Sequence, residues 1–252
     1  MKNIIESNKT SLFNYRLLVI DMIITIGAEK GGVGKSTLAF NLAAFFANQA
    51  VPDPVTKKKR PAKVILVDTD TTHTSAQWQA MRSHMQLQET FTVVEATVQP
   101  APTIIQLSTQ YDAVIVDVGA RDYDRLAELA RISDLWISPT KVGQGDLAST
   151  LRMAQAFATI NDKHKSGRIP LCILVNAVPN VWNSSEGQDA IDALTQAVPT
   201  GVVLKTTLKD RRVWRDAHKA GKSIFEMPAS ARDKAEAEFV EAIQEALGAY
   251  AG

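Results

Sequence analysis

The sequence predicts an α/β protein, a doubly wound, mainly parallel sheet of about seven strands with helices on both faces. Three observations carry that expectation. From Met22 onward, short β-branched runs alternate with longer segments of helical period, the rhythm of a parallel sheet covered on both sides. A chain of 252 residues suffices for one large α/β domain and leaves little for a second core. The residues with chemistry in them cluster just after the strand-like runs, at the carboxyl ends where ligands of such sheets bind.

The strand-like runs are Met22 to Gly27, Lys63 to Val67, Phe91 to Ala96, Ala113 to Val118, Leu135 to Pro139, Leu171 to Asn176 and Val202 to Thr206. Helical period runs through Lys35 to Gln49, Thr74 to Gln88, Arg121 to Arg131, Asp146 to Lys163, Ser185 to Ala197, Asp210 to Ala220 and Ser230 to Ala246. Residues 1–21 read as an N-terminal extension, because Met22 directly precedes the first strand and suits the start of a domain spanning 22–252. Between Val51 and Lys63, Pro52, Pro54 and Pro61 flank Thr56-Lys57-Lys58-Lys59-Arg60. Those prolines exclude a helix and predict an exposed basic loop, a solvated turn in preference to a nucleic-acid contact.

Composition narrows the function. The formal net charge of +1 gives no global attraction to nucleic acid or anionic membrane, so any DNA contact must be a local patch. Cys172 is the lone cysteine and lies in an apolar run, which excludes an internal disulfide and a cysteine metal cluster and suits a reducing, cytoplasmic setting. No apolar stretch approaches the roughly 20 residues that span a bilayer.

The strongest motif is Lys30-Gly31-Gly32-Val33-Gly34-Lys35-Ser36-Thr37, between the first strand and the first helix. A glycine-rich turn there points backbone N–H groups at one spot, and the helix adds the positive end of its dipole. Phosphates bind in that geometry. Lys35 is placed to neutralise β- and γ-phosphates and the Ser36 hydroxyl to coordinate Mg²⁺. Glu29 stands where the general phosphate-loop pattern has its first glycine. Two later runs add acids at strand tips: Val64-Ile65-Leu66-Val67-Asp68-Thr69-Asp70, and Val114-Ile115-Val116-Asp117.

With its second lysine, Lys30, the box resembles the deviant phosphate loop of the ParA/MinD family of P-loop ATPases, closest to plasmid-type ParA partition proteins. Ser75 and Trp78 agree with that subgroup. The resemblance implies an enzyme that hydrolyses ATP with Mg²⁺ and closes into a homodimer on ATP, with Lys30 reaching the phosphates of the partner. It further implies that Asp68 and Asp117 hold the Mg²⁺ shell through waters, that Asp70 orients the attacking water, and that Asn176 contacts adenine. The sequence departs from the family after its acids, with Thr71-Thr72-His73 where Pro-Gln is usual and Val118-Gly119-Ala120-Arg121 where Pro-Pro is common. These departures bear on hydrolysis rate and switching rather than on nucleotide binding. His73 is read as a polar loop residue, since phosphoryl transfer needs water positioning and charge neutralisation more than a general base.

Arg211, Arg215, Lys219 and Lys222 recur at spacings of four, four and three, which on one helix makes a basic stripe. By resemblance this stripe binds DNA nonspecifically in the ATP dimer. The expected function is ATP-driven DNA segregation with a ParB-like centromere-binding adaptor, in a cytoplasmic, nucleoid-associated protein. The alternative is a MinD-like positioning ATPase acting on a membrane or protein cargo. Glu236, Glu238, Glu241 and Glu245 on the final helix argue against a membrane, because an interfacial helix on anionic lipid carries Lys and Arg on its polar face. Trp214 is expected to anchor its helix in the core.

Overall fold

The computed structural model describes residues 21–70, 74–119, 123–162, 169–181 and 184–251. In chain order the elements are β1 (Met22–Ile26), α1 (Lys35–Ala47), β2 (Ala50–Pro52), β3 (Lys59–Pro61), β4 (Val64–Asp68), α2 (Thr74–His84), β5 (Thr92–Glu95), α3 (Pro100–Ser108) and β6 (Ala113–Asp117). There follow α4 (Tyr123–Ala130), β7 (Leu135–Thr140), α5 (Gln144–Asp162), β8 (Leu171–Val175), α6 (Glu186–Ala197), β9 (Val202–Val203), α7 (Arg212–Lys219), a 3₁₀ turn (Ile224–Glu226) and α8 (Ala229–Ala251).

Seven strands form one sheet in the order β5-β4-β6-β1-β7-β8-β9, and every pairing in it is parallel. Successive side chains of a strand point to opposite faces, and the sheet builds two cores in this way. Ile24, Ile26, Leu66, Ile115, Ile137 and Leu174 face one core, where Leu38, Leu42 and Phe46 of α1, Trp78 of α2 and Phe239 and Ile243 of α8 close over them. Ile23, Ile65, Val67, Val114, Val116, Trp136 and Ile173 face the other, beneath Ile104, Leu126, Met153, Phe157 and Ile191 of α3 to α6. Helices therefore cover both faces, as expected. Cys172 is buried among the first set.

Three details differ from expectation. The basic segment after Val51 is an exposed turn with no helix, as expected, but its ends pair: β2 and β3 run antiparallel, Val51 opposite Arg60. Pro52 and Pro61 sit in this small two-stranded ribbon away from the main sheet, where a missing N–H is tolerated. Arg60 turns back to hold Asp112 through two hydrogen bonds, 2.5 and 2.8 Å. The last strand is shorter than Val202 to Thr206, because the amides of Lys205 and Thr206 donate to the Glu245 carboxylate instead of to a neighbouring strand. Helix α3 was missed. Its Pro100 and Pro102 lie in the first turn, where no helical hydrogen bond needs their N–H.

The N-terminal extension, Asp21 apart, falls outside the described residues, as do Thr71, Thr72, His73, Ala120 and Arg121. The Asp21 amide donates to Asp112 O at 2.8 Å, in line with β1.

Candidate nucleotide-binding site

β1 is the central strand, with β6 on one side and β7 on the other. Its carboxyl end opens into the glycine-rich turn. Gly32 and Gly34 take φ of +73° and +97°, the left-handed region that glycine enters without penalty. Gly34 caps α1, whose first turn carries no acid, so the helix dipole is left for a bound anion. The backbone at Gly34 is also crowded: a Cβ there would stand 2.4 Å from Asn176 Nδ2. Asn176 donates that amide to Val33 O at 2.7 Å and accepts from Ala177 N at 2.8 Å. The end of β8 thereby braces the loop that follows β1.

The two lysines of the loop point to different places. Lys35 is buried and reaches back to Lys30 O at 3.2 Å. Burial pushes its ammonium below the usual lysine range, while Asp117 and Asp70 hold it up. Lys30 is 44% exposed and pairs with Asp146 at the start of α5, 2.9 Å away. Beside it Glu29 pairs with Arg152 of α5 at 2.8 Å. The arm of the loop is thus tied to α5 by two ion pairs that the sequence did not announce, since their partners lie more than a hundred residues away.

Sheet register brings the acids together. Asp68 lies opposite Asp117, and Asp117 opposite Ile26, the last residue before the loop. Both carboxylates are buried. Asp68 accepts from the amides of Asp70 and Ser75, each at 2.9 Å. Asp117 accepts from Ser75 Oγ at 3.3 Å, but its Oδ1 is buried with no protein partner. Burial pushes the Asp117 carboxyl up to about 7, against the influence of the Ser36 hydroxyl, while the Asp68 charge adds to the rise and Lys35 opposes it. Burial also raises Asp68. Asp70 rests beside Gly119, where a Cβ would come within 3.2 Å of its Cγ. Arg125 of α4 donates to Thr69 O at 2.6 Å and Thr97 O at 2.9 Å, fixing the backbone just before Asp70.

An orphaned buried carboxylate oxygen is the kind of hard oxygen ligand that a divalent cation satisfies. The residues fit Mg²⁺, with Ser36, Asp68 and Asp117 to hold it. Among the described residues no three His, Cys, Asp or Glu side chains surround one point, so phosphate oxygens and waters must supply most of the shell.

Beyond the loop lies a cleft of about 250 Å³ lined by Gly32, Val33, Gly34, Thr37, Leu38, Lys141, Asn176, Ala177, Leu208, Lys209, Asp210, Trp214 and Arg215. Gly31 lies on the same loop, with open space where its Cβ would be. Trp214 anchors α7 against Phe239, ring centroids 6.1 Å apart, and also walls this cleft. Sequence reasoning found the anchor and missed the wall.

The basic stripe does not survive folding as one helical face. α7 begins only at Arg212, so Arg211 precedes it in extended conformation and Lys222 follows it. Arg211 is ion-paired with Glu238 of α8, and Arg215 donates to Asp210. Arg212, Arg215 and Lys219 are the exposed cations of α7. The stripe failed because backbone bonds hold the chain out of the helix there: Lys209 bridges Val178, Asp210 N donates to Val178 O at 2.8 Å, and Arg211 N turns back to Lys209 O at 2.8 Å.

A parallel sheet whose central strand runs into a left-handed glycine turn, a buried lysine and two register-matched acids defines a nucleotide-binding α/β protein of the phosphate-loop class. Residues 24–221 match the model of the CobQ/CobB/MinD/ParA nucleotide binding domain, and the chain belongs to that family. Solved structures of similar fold include an McdA–ATP complex from Cyanothece, 15% identical with a TM-score of 0.68, covering 90% of this chain and 96% of that one. A plasmid partition protein from Borrelia burgdorferi bound to AMPPNP is 15% identical with a TM-score of 0.63, covering 88% and 98%. The cell division ATPase MinD of Pyrococcus furiosus is 18% identical with a TM-score of 0.61, covering 89% and 99%. A curated relative, an ATPase ASNA1 homolog from Trypanosoma cruzi, is 50% identical over 44 residues, which are 18% of this chain and 12% of that protein. No helix among the described residues is long and apolar enough to cross a membrane.

Proposed function

We propose that this chain is a ParA-type ATPase: Mg²⁺ and ATP close a homodimer, the dimer binds DNA without sequence preference, and a ParB-like adaptor stimulates hydrolysis and release. The observation that carries the reading is the division of labour between the two lysines of one loop. Lys35 is buried against its own loop, while Lys30 is displayed at the surface on an ion pair with Asp146, free to be exchanged for the phosphates of a second subunit.

In this reading the amides of Gly31 to Thr37 cradle the phosphates, and Lys35 neutralises the bridging and terminal charge. Ser36, Asp68 and Asp117 hold Mg²⁺, which supplies further neutralisation of the charge that develops on the leaving phosphates. Asp70, kept in place by the hydrogen bond its N–H donates to the Asp68 carboxylate and by Arg125 on Thr69 O, orients the attacking water. Asn176 meets the base from the end of β8, and Lys30 of each subunit acts in trans as a finger lysine. Arg215 and Lys219, with weaker roles for Lys222 and the paired Arg211, provide the phosphate contacts to DNA. Binding by such contacts falls steeply with salt.

The test is the size of the purified protein by light scattering with ATP or ADP, for wild type, Lys30→Ala and Asp70→Ala, beside cosedimentation with nonspecific duplex. An ATP-dependent dimer, lost in Lys30→Ala and trapped in Asp70→Ala, is expected. A monomer in every condition removes the sandwich. Equal DNA binding with ATP, ADP and no nucleotide removes the partition role. The MinD-like alternative keeps the same engine and predicts ATP-dependent binding to anionic liposomes. Against it, Glu238 and Glu245 of α8 are engaged in bonds to Arg211, Lys205 and Thr206, so that helix is committed to the fold.

A further inference from the structure

Two neighbouring clefts share a wall. One is the nucleotide cleft beside the glycine turn; the other is a groove between α7 and α8, lined by Arg211, Arg212 and Lys234 among others. Asp210 and Arg215 are the residues that line both. They are joined to each other: Arg215 Nη1 donates to Asp210 Oδ1 at 2.5 Å, and both side chains are about half exposed.

Their freedom to move differs. Asp210 is fixed by backbone, its amide on Val178 O and the preceding Lys209 in a parallel bridge to Val178. Arg215 closes the first turn of α7 and reaches Asp210 by a long, half-exposed side chain. Within the nucleotide cleft Asp210 is the carboxylate, and the other charged groups of the lining are Lys141, Lys209 and Arg215. A nucleoside entering that cleft brings its own hydrogen-bond donors, ribose hydroxyls and an exocyclic amine, for which a carboxylate is the matching acceptor. The donors of the nucleoside and the guanidinium of Arg215 then compete for one group.

We propose that Asp210 is shared between the nucleoside and Arg215, so that nucleotide binding releases Arg215 from its counter-ion and presents it to the phosphates of DNA. The proposal rests on the partition reading above and adds a route by which one site informs the other within a single subunit. Coupling of this kind is reciprocal, so DNA tightens nucleotide by the same factor as nucleotide tightens DNA. An exposed ion pair sets its size at about two- to fivefold. Arg211 takes no part, because its partner Glu238 stands on α8 outside the nucleotide cleft.

The experiment uses the full chain carrying Lys30→Ala, to separate the effect from dimerisation, with and without Asp210→Asn. Three quantities are read: affinity for a fluorescent ATP analogue, anisotropy of nonspecific duplex at fixed salt, and phenylglyoxal labelling of Arg215 followed by peptide mass spectrometry. With Asp210 present, ATP should raise Arg215 labelling and DNA affinity two- to fivefold. With Asp210→Asn, both should already be high without nucleotide and respond little to ATP, and the analogue should bind more weakly. Labelling of Arg215 that ignores ATP, or an Asp210→Asn protein that binds the analogue as tightly as its parent, overturns the proposal. Labelling that responds to ATP, while the protein with Lys30 intact binds no DNA even with ATP, leaves Asp210 shared and discards the partition reading instead.

Discussion

Asp117→Asn should make the protein more stable at alkaline pH while depriving it of its cation site. The carboxyl of Asp117 is raised from 3.8 to about 7 by burial and by Asp68, so between those values the folded chain holds a proton that the unfolded chain has lost. Stability from this group is therefore greatest at low pH and is lost as pH rises through the window. Going from pH 5 to pH 8 crosses about two units of it, which at 1.36 kcal/mol per unit is about 2 to 3 kcal/mol. The asparagine variant has no such slope. Denaturation without Mg²⁺ at pH 5 and pH 8 gives the comparison, since every other titrating group is common to both proteins. The wild type should lose about 2 to 3 kcal/mol more than the variant across that interval. An identical pH dependence in the two would refute the buried, cation-seeking carboxylate. The same proton must leave when Mg·ATP binds, so wild-type affinity should fall about fivefold from pH 7 to pH 6.

Asp146→Asn removes the cis partner of Lys30; the lysine end of the pair is open to solvent though Asp146 is buried, and at a surface-pair strength of about 1 kcal/mol half-maximal dimerisation should need about fivefold less ATP by light scattering, while an unchanged midpoint would show that the pair does not compete with the partner's phosphates. Arg82→Met strips a buried guanidinium from Glu226, Gly221 O and Gln88 O, leaving the partly buried carboxylate only its bonds from Ser223 at a cost of about 3 kcal/mol. Urea denaturation measures that loss, and Glu226→Gln in the same chain should restore part of it; a loss within error of zero contradicts the network. Gly34→Ala puts a Cβ 2.4 Å from Asn176 Nδ2 at a φ of +97°, and calorimetry should find no Mg·ATP binding by a still-folded protein; undiminished heat would mean that the cradle is elsewhere.

The sequence determined the layers and the glycine turn between β1 and α1 by itself. Alternating strand and helix periods fix which residues face a sheet, and a glycine turn between strand and helix is local, so its lysines and serine can be read in order. The tips of β4 and β6 were legible for the same reason, as acids ending apolar runs. Three things only the tertiary structure decided. Parallel register set Asp68 against Asp117 beside Ile26, which no local pattern encodes. Partners distant in the chain claimed charges that looked free in sequence: Asp146 holds Lys30, Arg152 holds Glu29, and Glu238 holds Arg211. Helical spacing alone put four cations on one face, but backbone bonds at Asp210 delayed the start of α7 and left Arg215 on the wall between two clefts. Spacing along a chain constrains direction within one element; which opposite charge waits there depends on how separate elements pack.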